Sequence, residues 1–344
     1  MFKQLLNKCI TGEVLTEEES YRVMDVIMSG DATASQIASL LSILRFRGET
    51  VDEITGFARA MREHMMQLDY ESDQVIDTCG TGGDGASTFN ISTAAAIIVS
   101  SIGIKVAKHG NRAVSSKSGS ADVLEYLGVE IQSTKEEAKD ALNKRNMSFL
   151  FAPIYHAAMK HAVTPRQEIG FRTIFNLLGP MANPARCKRQ VLGVYSTEYA
   201  EKMAYALQKL GSEHILFVSG RDGLDECSIT TETDIVELKD GEITRFVLSP
   251  EDVDLPRGNM KDIQVSSVVE SANLLRDVLY GRANQSATNI VLLNAGAAIY
   301  ISGKANSIRE GVEMAREALV MGIARNQFEQ LRNREVEYFA KQNS

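Results

Sequence analysis

The hydrophobic pattern of the chain changes near Asp73, and this change limits the folds that the chain can adopt. Before it, apolar residues recur at helical spacing behind sequences that cap helix starts. After it, short apolar runs alternate with helical segments, which favours a mainly parallel sheet covered by helices. We therefore predict an α/β fold with a small N-terminal helical domain over residues 1–70 and a larger α/β domain over residues 73–344.

Three capping boxes indicate three helices in the first domain. Thr16, Thr33 and Thr50 are each followed three residues later by Glu or Gln. The apolar stripes behind them are typical of helices that pack into one core. Further along the chain, residues 165–180 have a proline at the start and Gly-Pro at the end, which indicates one amphipathic helix.

The second domain is predicted to alternate strands and helices. Strands are predicted at residues 74–77, 104–107, 148–151, 191–195 and 215–218, with an appended hairpin at 234–238 and 242–247. Helices are predicted at residues 88–101, 120–127, 198–210 and 308–338. The last of these helices is charged, and we expect it to form a covering layer.

The charge and the cysteines of the chain exclude some classes of partner. Lys and Arg number 37 and Asp and Glu number 45, so the net charge is -8. This average charge repels a phosphate backbone, and we expect no nucleic-acid partner. No apolar run reaches the ~18 residues of a membrane span, and we expect no membrane partner. The four cysteines lack zinc-ligand spacing and are expected to be reduced thiols in a cytoplasmic protein.

A glycine-rich segment, Asp77 to Gly85, lies between a predicted strand and a predicted helix. The backbone N–H groups of such a loop suit phosphate oxygens, although a tight turn is the alternative. The segment fits G-x-G-x-x-G, but Lys108 and His109 stand where a dinucleotide fold would place an acidic ribose ligand. The helix that follows begins with residues 90–93, whose small polar side chains suit helix capping, phosphate binding or Mg²⁺ binding.

Three further segments carry candidate binding groups. Lys108 to Ser120 holds three cations, four hydroxyls and two glycines, which suits a polyanion, although it is also compatible with a solvated basic loop. Asp225 and Glu226 follow a predicted strand at the end where α/β proteins bind ligands, and they are either Mg²⁺ ligands or a surface acidic pair. Arg166 either holds a carboxylate or is a solvated arginine at a helix start.

Together these segments resemble the anthranilate phosphoribosyltransferases of tryptophan biosynthesis. The matching residues are 77–84, 90–93, 108–120, Arg166, 172–180, Asp225 and Glu226, in the order of the family and across essentially the whole chain. The resemblance implies a nucleoside-phosphorylase/phosphoribosyltransferase-like fold with its active site in a cleft between the domains. A helical segment near residues 165–182 would then join the helical domain, and a homodimer would form through that domain.

The resemblance also implies a reaction and a set of binding residues. The amine of anthranilate would take the phosphoribosyl group of 5-phosphoribosyl 1-diphosphate (PRPP), giving N-(5-phosphoribosyl)anthranilate and diphosphate. The residues implied to hold PRPP are Gly80, Gly83, Asp84, Thr88, Asn90, Ile91, Ser92, Thr93, Lys108, His109, Gly110, Asn111, Arg112, Ala113, Val114, Ser115, Ser116 and Ser120. Those implied to hold anthranilate are Gly80, Asn111 and Arg166, and Ser92, Asp225 and Glu226 would serve two Mg²⁺ ions. The resemblance implies no covalent nucleophile.

Two other functions are compatible with parts of this pattern. A pyrimidine nucleoside phosphorylase shares the general architecture but binds orthophosphate, and the acidic pair Asp225 and Glu226 disfavours it. A non-catalytic nucleic-acid-binding relative would need a broad basic face, which the net charge of -8 disfavours.

Overall fold

The computed structural model of the chain describes residues 1–70, 75–82, 85–113 and 117–332. Five of the residues proposed above to bind PRPP lie outside these ranges: Gly83, Asp84, Val114, Ser115 and Ser116. None of the helices in the described ranges combines the length and the apolar character that a membrane crossing requires.

Four helices form the N-terminal part of the chain. They are α1 (Phe2–Ile10), α2 (Glu17–Ser29), α3 (Ala34–Arg47) and α4 (Val51–His64). The three capping boxes are formed as predicted, each with a threonine hydroxyl accepting from a backbone N–H and a Glu or Gln side chain reaching back. The sequence reasoning missed α1, because its N-cap residue, Met1, provides no side-chain cap.

The α/β part contains a seven-stranded sheet. Its strands are β1 (Ile76–Gly80), β2 (Val106–Gly110), β3 (Met147–Phe151), β4 (Arg189–Gly193), β5 (His214–Gly220), β6 (Thr233–Lys239) and β7 (Glu242–Leu248). They lie in the order β3-β2-β1-β4-β5-β6-β7. The pairings among β1 to β5 are parallel, while β6 and β7 form the predicted antiparallel hairpin at one edge. The predicted fold class is therefore confirmed.

Further helices lie between and after these strands along the chain. They are α5 (Ile91–Ser101), α6 (Ser120–Tyr126), α7 (Lys135–Arg145), α8 (Ala152–Tyr155), α9 (Lys160–Ile169), α10 (Ile174–Met181), α11 (Thr197–Lys209), α12 (Val268–Leu279), α13 (Gln285–Ile301), α14 (Ile308–Val320) and α15 (Ile323–Leu331). Helix α5 starts three residues later than predicted, because Thr88 pairs in an antiparallel bridge with Gln264. Where the predicted C-terminal helix (residues 308–338) falls in the described ranges, it is two helices separated at Gly322, whose φ is positive, and residues 333–338 lie outside those ranges.

The prediction of a single helix over residues 165–180 is wrong. Pro165 lies inside α9, which ends at Gly170 in the left-handed conformation. A second helix, α10, then starts after Thr173, whose backbone N–H donates to the Asn176 side chain at 3.1 Å. The left-handed Gly170 and the new N-cap stop the first helix and redirect the chain, so that Arg166 lies in the last turn of α9.

The N-terminal helices share a core with part of the α/β region. Helix α4 packs against α2, α10 and α11, and α3 packs against α9. Buried residues of α10 and α11 belong to the same apolar cluster as those of α2, α3 and α4. The segment around α9 and α10 thus packs with the N-terminal helices and carries Arg166 to their boundary with the sheet.

Candidate active site

The order of the strands creates a crevice at one end of the sheet. From β1 the chain proceeds through β2 and β3 on one side, and then through β4 and β5 on the other. Ligands of open α/β sheets bind at such a switch point, beyond the carboxyl ends of the strands. Gly80, Gly110 and Gly193 end the three strands that meet there.

Two of these strand ends are glycines because the loop that carries Asp225 approaches them closely. A Cβ added at Gly193 would lie 1.6 Å from the Asp225 carbonyl oxygen, and one at Gly80 would lie 2.5 Å from Asp225 Oδ2. With no side chains in the way, Asp225 Oδ2 accepts a hydrogen bond from the Gly82 backbone N–H at 2.8 Å. The acidic residue is thereby held against the glycine-rich segment.

Ser92, Lys108 and Glu226 meet at the start of α5. The Ser92 backbone N–H donates to Glu226 Oε1 at 3.2 Å, and Lys108 Nζ donates to Ser92 Oγ at 3.2 Å. Lys108 also donates to the carbonyl of Thr78. Residues from three distant parts of the sequence therefore place a cation, a hydroxyl and a carboxylate beside a helix N-terminus, where anions are favoured.

Asn294 of α13 holds the loop that carries Asp225 and Glu226. The Asn294 side chain accepts from the Cys227 backbone N–H at 2.9 Å and donates to the Cys227 carbonyl at 3.0 Å. Asn294 is buried, so the two bonds are protected from water. This clamp, which the sequence reasoning missed, holds the residue that directly follows Glu226.

Two adjoining cavities open at this crevice. The first, here called the polar cavity, has a volume of about 350 Å³. Its lining includes Gly82, Ser87, Thr88, Phe89, Asn90, Ile91, Ser92, Lys108, Arg112, Ser118, Gly119, Ser120, Asp225 and Glu226. Backbone and hydroxyl donors, a buried ammonium and two carboxylates thus surround one space, which suits a phosphorylated ligand that carries a metal ion.

The second, here called the apolar cavity, has a volume of about 430 Å³ and faces the helical side. Its lining includes Met61, Ala152, Pro153, His156, Ala157, Met159, Lys160, Val163, Phe175, Gly179 and Pro180. The two cavities share Cys79, Gly80, Thr81, His109, Gly110, Asn111, Arg166 and Asn176. A flat apolar ligand can therefore lie next to a phosphorylated one, with the shared residues at their junction.

Arg166 supplies a cation at that junction. Its guanidinium lies over the Phe175 ring, 5.1 Å from the centroid, and burial lowers the pKa of its guanidinium from the ordinary value. An arginine remains charged in proteins, and no carboxylate in the described part of the chain forms an ion pair with Arg166. The geometry makes the guanidinium a suitable partner for a ligand carboxylate.

Two histidines face the apolar cavity. The rings of His109 and His156 lie 5.0 Å apart, and both side chains are buried. Burial lowers the pKa of His109 to about 3 and that of His156 to about 4, with the neighbouring His156 adding to the effect on His109. Both imidazoles are therefore neutral near pH 7 and can act there as hydrogen-bonding groups.

The remaining predicted residues are distributed as follows. Arg112 lines the polar cavity, and its guanidinium pairs with Asp122 and Glu125 of α6, which raises its pKa. Thr93 is fully buried in α5 and Ala113 is exposed, and neither belongs to the lining of a cavity. The other predicted residues in the described ranges line one or both cavities.

The donor set at the polar cavity fits Mg²⁺. The described residues contain no cluster of three or more His, Cys, Asp and Glu side chains that could enclose an ion. Mg²⁺ usually keeps several waters and is held by one or two carboxylates together with substrate phosphates. Asp225, Glu226 and the Ser92 hydroxyl provide such a partial set of oxygen ligands.

Family models match both parts of this fold. Residues 3–65 match the helical bundle domain of the glycosyl transferase family, and residues 72–325 match its a/b domain. The fold and the site thus define a glycosyl transferase built from a helical bundle and an α/β domain.

Relatives and solved structures narrow this class. Anthranilate phosphoribosyltransferase from Geobacillus sp. strain WCH70 is 68% identical over 340 residues, covering 99% of this chain and 100% of the relative. The crystal structure of the Thermus thermophilus enzyme has a TM-score of 0.89 at 42% identity, covering 95% of this chain and 97% of that one. The Saccharomyces cerevisiae enzyme in complex with PRPP and Mg has a TM-score of 0.87 at 28% identity, with 96% of each chain covered. The chain belongs to the anthranilate phosphoribosyltransferase family.

Proposed function

We propose that this chain transfers the phosphoribosyl group of PRPP to the amine of anthranilate, giving N-(5-phosphoribosyl)anthranilate and diphosphate in tryptophan biosynthesis. The observation that carries the proposal is the pair of adjoining cavities, one polar and one apolar, with Arg166 at their junction. The Saccharomyces cerevisiae relative has been solved both with PRPP and Mg and with 4-fluoroanthranilate, which supports PRPP and anthranilate as the two substrates.

In this proposal the polar cavity binds PRPP. The N-terminus of α5, Lys108 and the glycine-rich segment hold its phosphate groups, and Asp225, Glu226 and Ser92 hold Mg²⁺, two ions in all. The bound Mg²⁺ neutralises negative charge on the diphosphate group. Lys108 lies in the same cavity and stabilises the negative charge that develops on the leaving diphosphate oxygen as its bond to the anomeric carbon breaks.

The apolar cavity binds anthranilate. Arg166 pairs with its carboxylate, Asn111 and Gly80 lie near its amine, and the apolar lining packs against its ring. The aromatic amine is neutral at pH 7 and attacks the anomeric carbon through its lone pair while the bond from that carbon to diphosphate breaks. The nitrogen, cationic after the attack, then loses a proton to water or to the departing diphosphate, so the step needs no strong base. Positioning and electrostatic stabilisation then account for most of the acceleration.

The decisive experiment is incubation of the protein with PRPP, Mg²⁺ and anthranilate, followed by anthranilate fluorescence. Fluorescence should fall only when all three are present. Unchanged fluorescence, together with phosphorolysis of thymidine or uridine, would instead identify a pyrimidine nucleoside phosphorylase. A band shift with nucleic acid at physiological salt would indicate a non-catalytic nucleic-acid-binding protein.

The acidic pair offers a separate test of the metal assignment. The double change Asp225→Asn and Glu226→Gln keeps the shapes of the side chains and removes two charges. Turnover should fall strongly at limiting Mg²⁺ and recover in part at high Mg²⁺, because the remaining oxygen ligands bind the ion weakly. Asp222→Asn is the matched control, since Asp222 belongs to the same loop but not to the lining of either cavity. An unchanged Mg²⁺ titration in the double variant would remove the pair from the mechanism.

We further infer the organisation of the whole protein. Residues 1–70 and residues 73–344 are its two domains, and the helical segment near 165–182 belongs with the first. The protein is cytoplasmic and a homodimer through the helical domain. Exposed apolar side chains on that domain, Ile10, Val14 and Phe46, support the location of this interface.

A further inference from the structure

A buried carboxylate lies in the middle of the sheet, where an apolar side chain would be expected. Asp77 of β1 is fully buried, and it does not belong to the lining of the polar or the apolar cavity. Removing a carboxylate from water is unfavourable unless hydrogen bonds or opposite charges compensate. The groups that Asp77 holds should therefore explain its presence.

Asp77 connects the two strands that flank β1. Its Oδ1 accepts from the His109 backbone N–H on β2 at 3.2 Å. Its Oδ2 accepts from Gln190 Nε2 on β4 at 3.3 Å and from Cys79 Sγ at 3.3 Å. Asp77 and Gln190 are register partners in the parallel pairing of β1 and β4, so their side chains share one face of the sheet.

Gln190 extends this hydrogen-bond network from Asp77 to the wall of the apolar cavity. Its Nε2 also donates to the carbonyl of Pro180 at 3.0 Å. An amide NH₂ has two hydrogens, so both bonds can form together. Gly179, Pro180 and His109 line the apolar cavity, and Lys108 beside His109 lines the polar one.

We propose that Asp77 and Gln190 are positioning residues, which hold the Gly179–Pro180 wall of the apolar cavity in a fixed place relative to β2. The inference rests on the proposed function, because it concerns how the acceptor is placed relative to the donor. Neither side chain touches a substrate in this arrangement. Both act through Pro180 and His109.

The acceptor oxygens of Asp77 set the direction of the Gln190 amide. Oδ2 accepts from Gln190 and Oδ1 accepts from the His109 backbone N–H, so the NH₂ group of Gln190 has to face Asp77. Asp77→Asn would offer an N–H group at one of these places and favour the reversed amide of Gln190. The Gln190 oxygen would then face the Pro180 carbonyl oxygen and repel it.

The first experiment compares Gln190→Met with Gln327→Met. Gln327 is also buried, and its Nε2 also bridges a side chain, Ser100, and a backbone carbonyl, that of Arg145, but it lies in α15 away from both cavities. Gln190→Met should raise the KM for anthranilate about tenfold, the size expected for a lost buried hydrogen bond. The dissociation constant for PRPP, measured by calorimetry, should stay within about twofold. Gln327→Met should change neither constant.

The second experiment is a double-mutant cycle on the KM for anthranilate at saturating PRPP. Asp77→Asn should raise this KM, and the double variant should be no worse than Gln190→Met alone. The asparagine oxygen still accepts from the His109 N–H, so what the substitution changes is the contact with Gln190. If the increases in KM from the two single changes multiply in the double variant, the proposal is overturned. It is also overturned if Gln190→Met leaves the KM for anthranilate unchanged, or raises it no more than the KM for PRPP. If Asp77→Asn does not fold, the comparison of the two glutamine variants decides. Because the unmodified protein is assayed in parallel, failure of this inference is distinguishable from failure of the proposed function.

Discussion

At the scale of single residues, the site combines buried charges with buried neutral groups. Burial raises the pKa of Asp77 and lowers that of Lys108, while the attraction between the two opposes both changes. The imidazole rings of His109 and His156, by contrast, are buried, and in the described ranges neither ring forms an ion pair with a carboxylate. One junction thus has a lysine that attracts a buried carboxyl group on its phosphate side and two neutral imidazole rings on its apolar side.

The position of Arg166 between the two cavities gives a direct test of the acceptor assignment. Arg166→Ala should raise the KM for anthranilate by about ten- to a hundredfold and that for PRPP much less, because a hydrogen bond to a charged group contributes roughly 1.5–3 kcal/mol. Arg172→Ala is the matched control: this guanidinium also lies over an aromatic ring, Tyr195, at 4.6 Å, but outside both cavities. Equal changes in the two KM values would make Arg166 a structural residue.

The two histidines predict a loss of stability in acid. Their pKa values are about 3 and about 4 in the folded protein, below the ordinary value of 6.5, so only the unfolded chain takes up their protons as the pH falls from 6.5. The contribution of the two neutral histidines to the free energy of unfolding is therefore present above pH 6.5 and is progressively lost below it. Each histidine should reduce the free energy of unfolding by roughly 2 kcal/mol between pH 7 and pH 5.

Urea unfolding at the two pH values measures this effect. His156→Phe should unfold with a smaller difference between pH 7 and pH 5 than the unmodified chain, by roughly the 2 kcal/mol of one histidine. If the two proteins lost equal stability on acidification, His156 would not be neutral in the folded state.

At the scale of elements, the break between α9 and α10 determines where Arg166 and Asn176 lie. One straight helix over residues 165–180 would satisfy the local sequence pattern, yet Gly170 adopts a φ of +67° and Thr173 starts a new helix. The turn places Arg166 and Asn176 on the lining of both cavities. The position of the acceptor site therefore depends on a C-cap.

Changing that C-cap should affect stability and acceptor binding together. Gly170→Ala forces a Cβ into the left-handed region and should lower the free energy of unfolding by about 1–2 kcal/mol. Gly211→Ala, at the end of α11, is the matched control: its φ is +83°, and at both positions an added Cβ meets open space. Both variants should lose similar stability, measured by urea unfolding, but only Gly170→Ala should raise the KM for anthranilate. An unchanged KM in both would mean that α9 holds Arg166 without its C-cap.

At the scale of the whole molecule, the helical domain has two different faces. One face packs on α9, α10 and α11 and forms a wall of the apolar cavity through Met61. On the outside, Phe46 is 95% exposed at the end of α3. This exposed apolar side chain makes Phe46 a suitable position at which to test the homodimer interface proposed above.

Phe46→Glu tests the proposed homodimer. A carboxylate at this position would have to be buried against the partner, so the variant should be monomeric in light scattering, while the unmodified chain should be dimeric. Val320→Glu, at an 82% exposed position of α14, should leave the dimer intact. Both variants should retain activity per chain, because one chain supplies the residues of both cavities. A dimeric Phe46→Glu protein would place the interface elsewhere.

What the sequence by itself determined is mostly local. The helices that begin after Thr16, Thr33 and Thr50 can be predicted from the sequence because a capping box involves only four neighbouring residues. The strands, the hairpin and the glycine-rich segment were predictable for the same reason, and the motif residues around Lys108 and Asp225 pointed to phosphate and metal chemistry. Helix α1 was missed because it lacks such a local signal.

Only the tertiary structure decided which of these groups meet and what surrounds them. The contact of Ser92 with Glu226 joins residues that are 134 positions apart, and that of Asp77 with Gln190 joins residues 113 apart. Such contacts depend on strand order and on close approach, as at Gly193, where the loop of Asp225 fits only because no side chain is present. Burial, which sets the charge states of His109 and His156, likewise arises from packing of the whole chain and from no single segment.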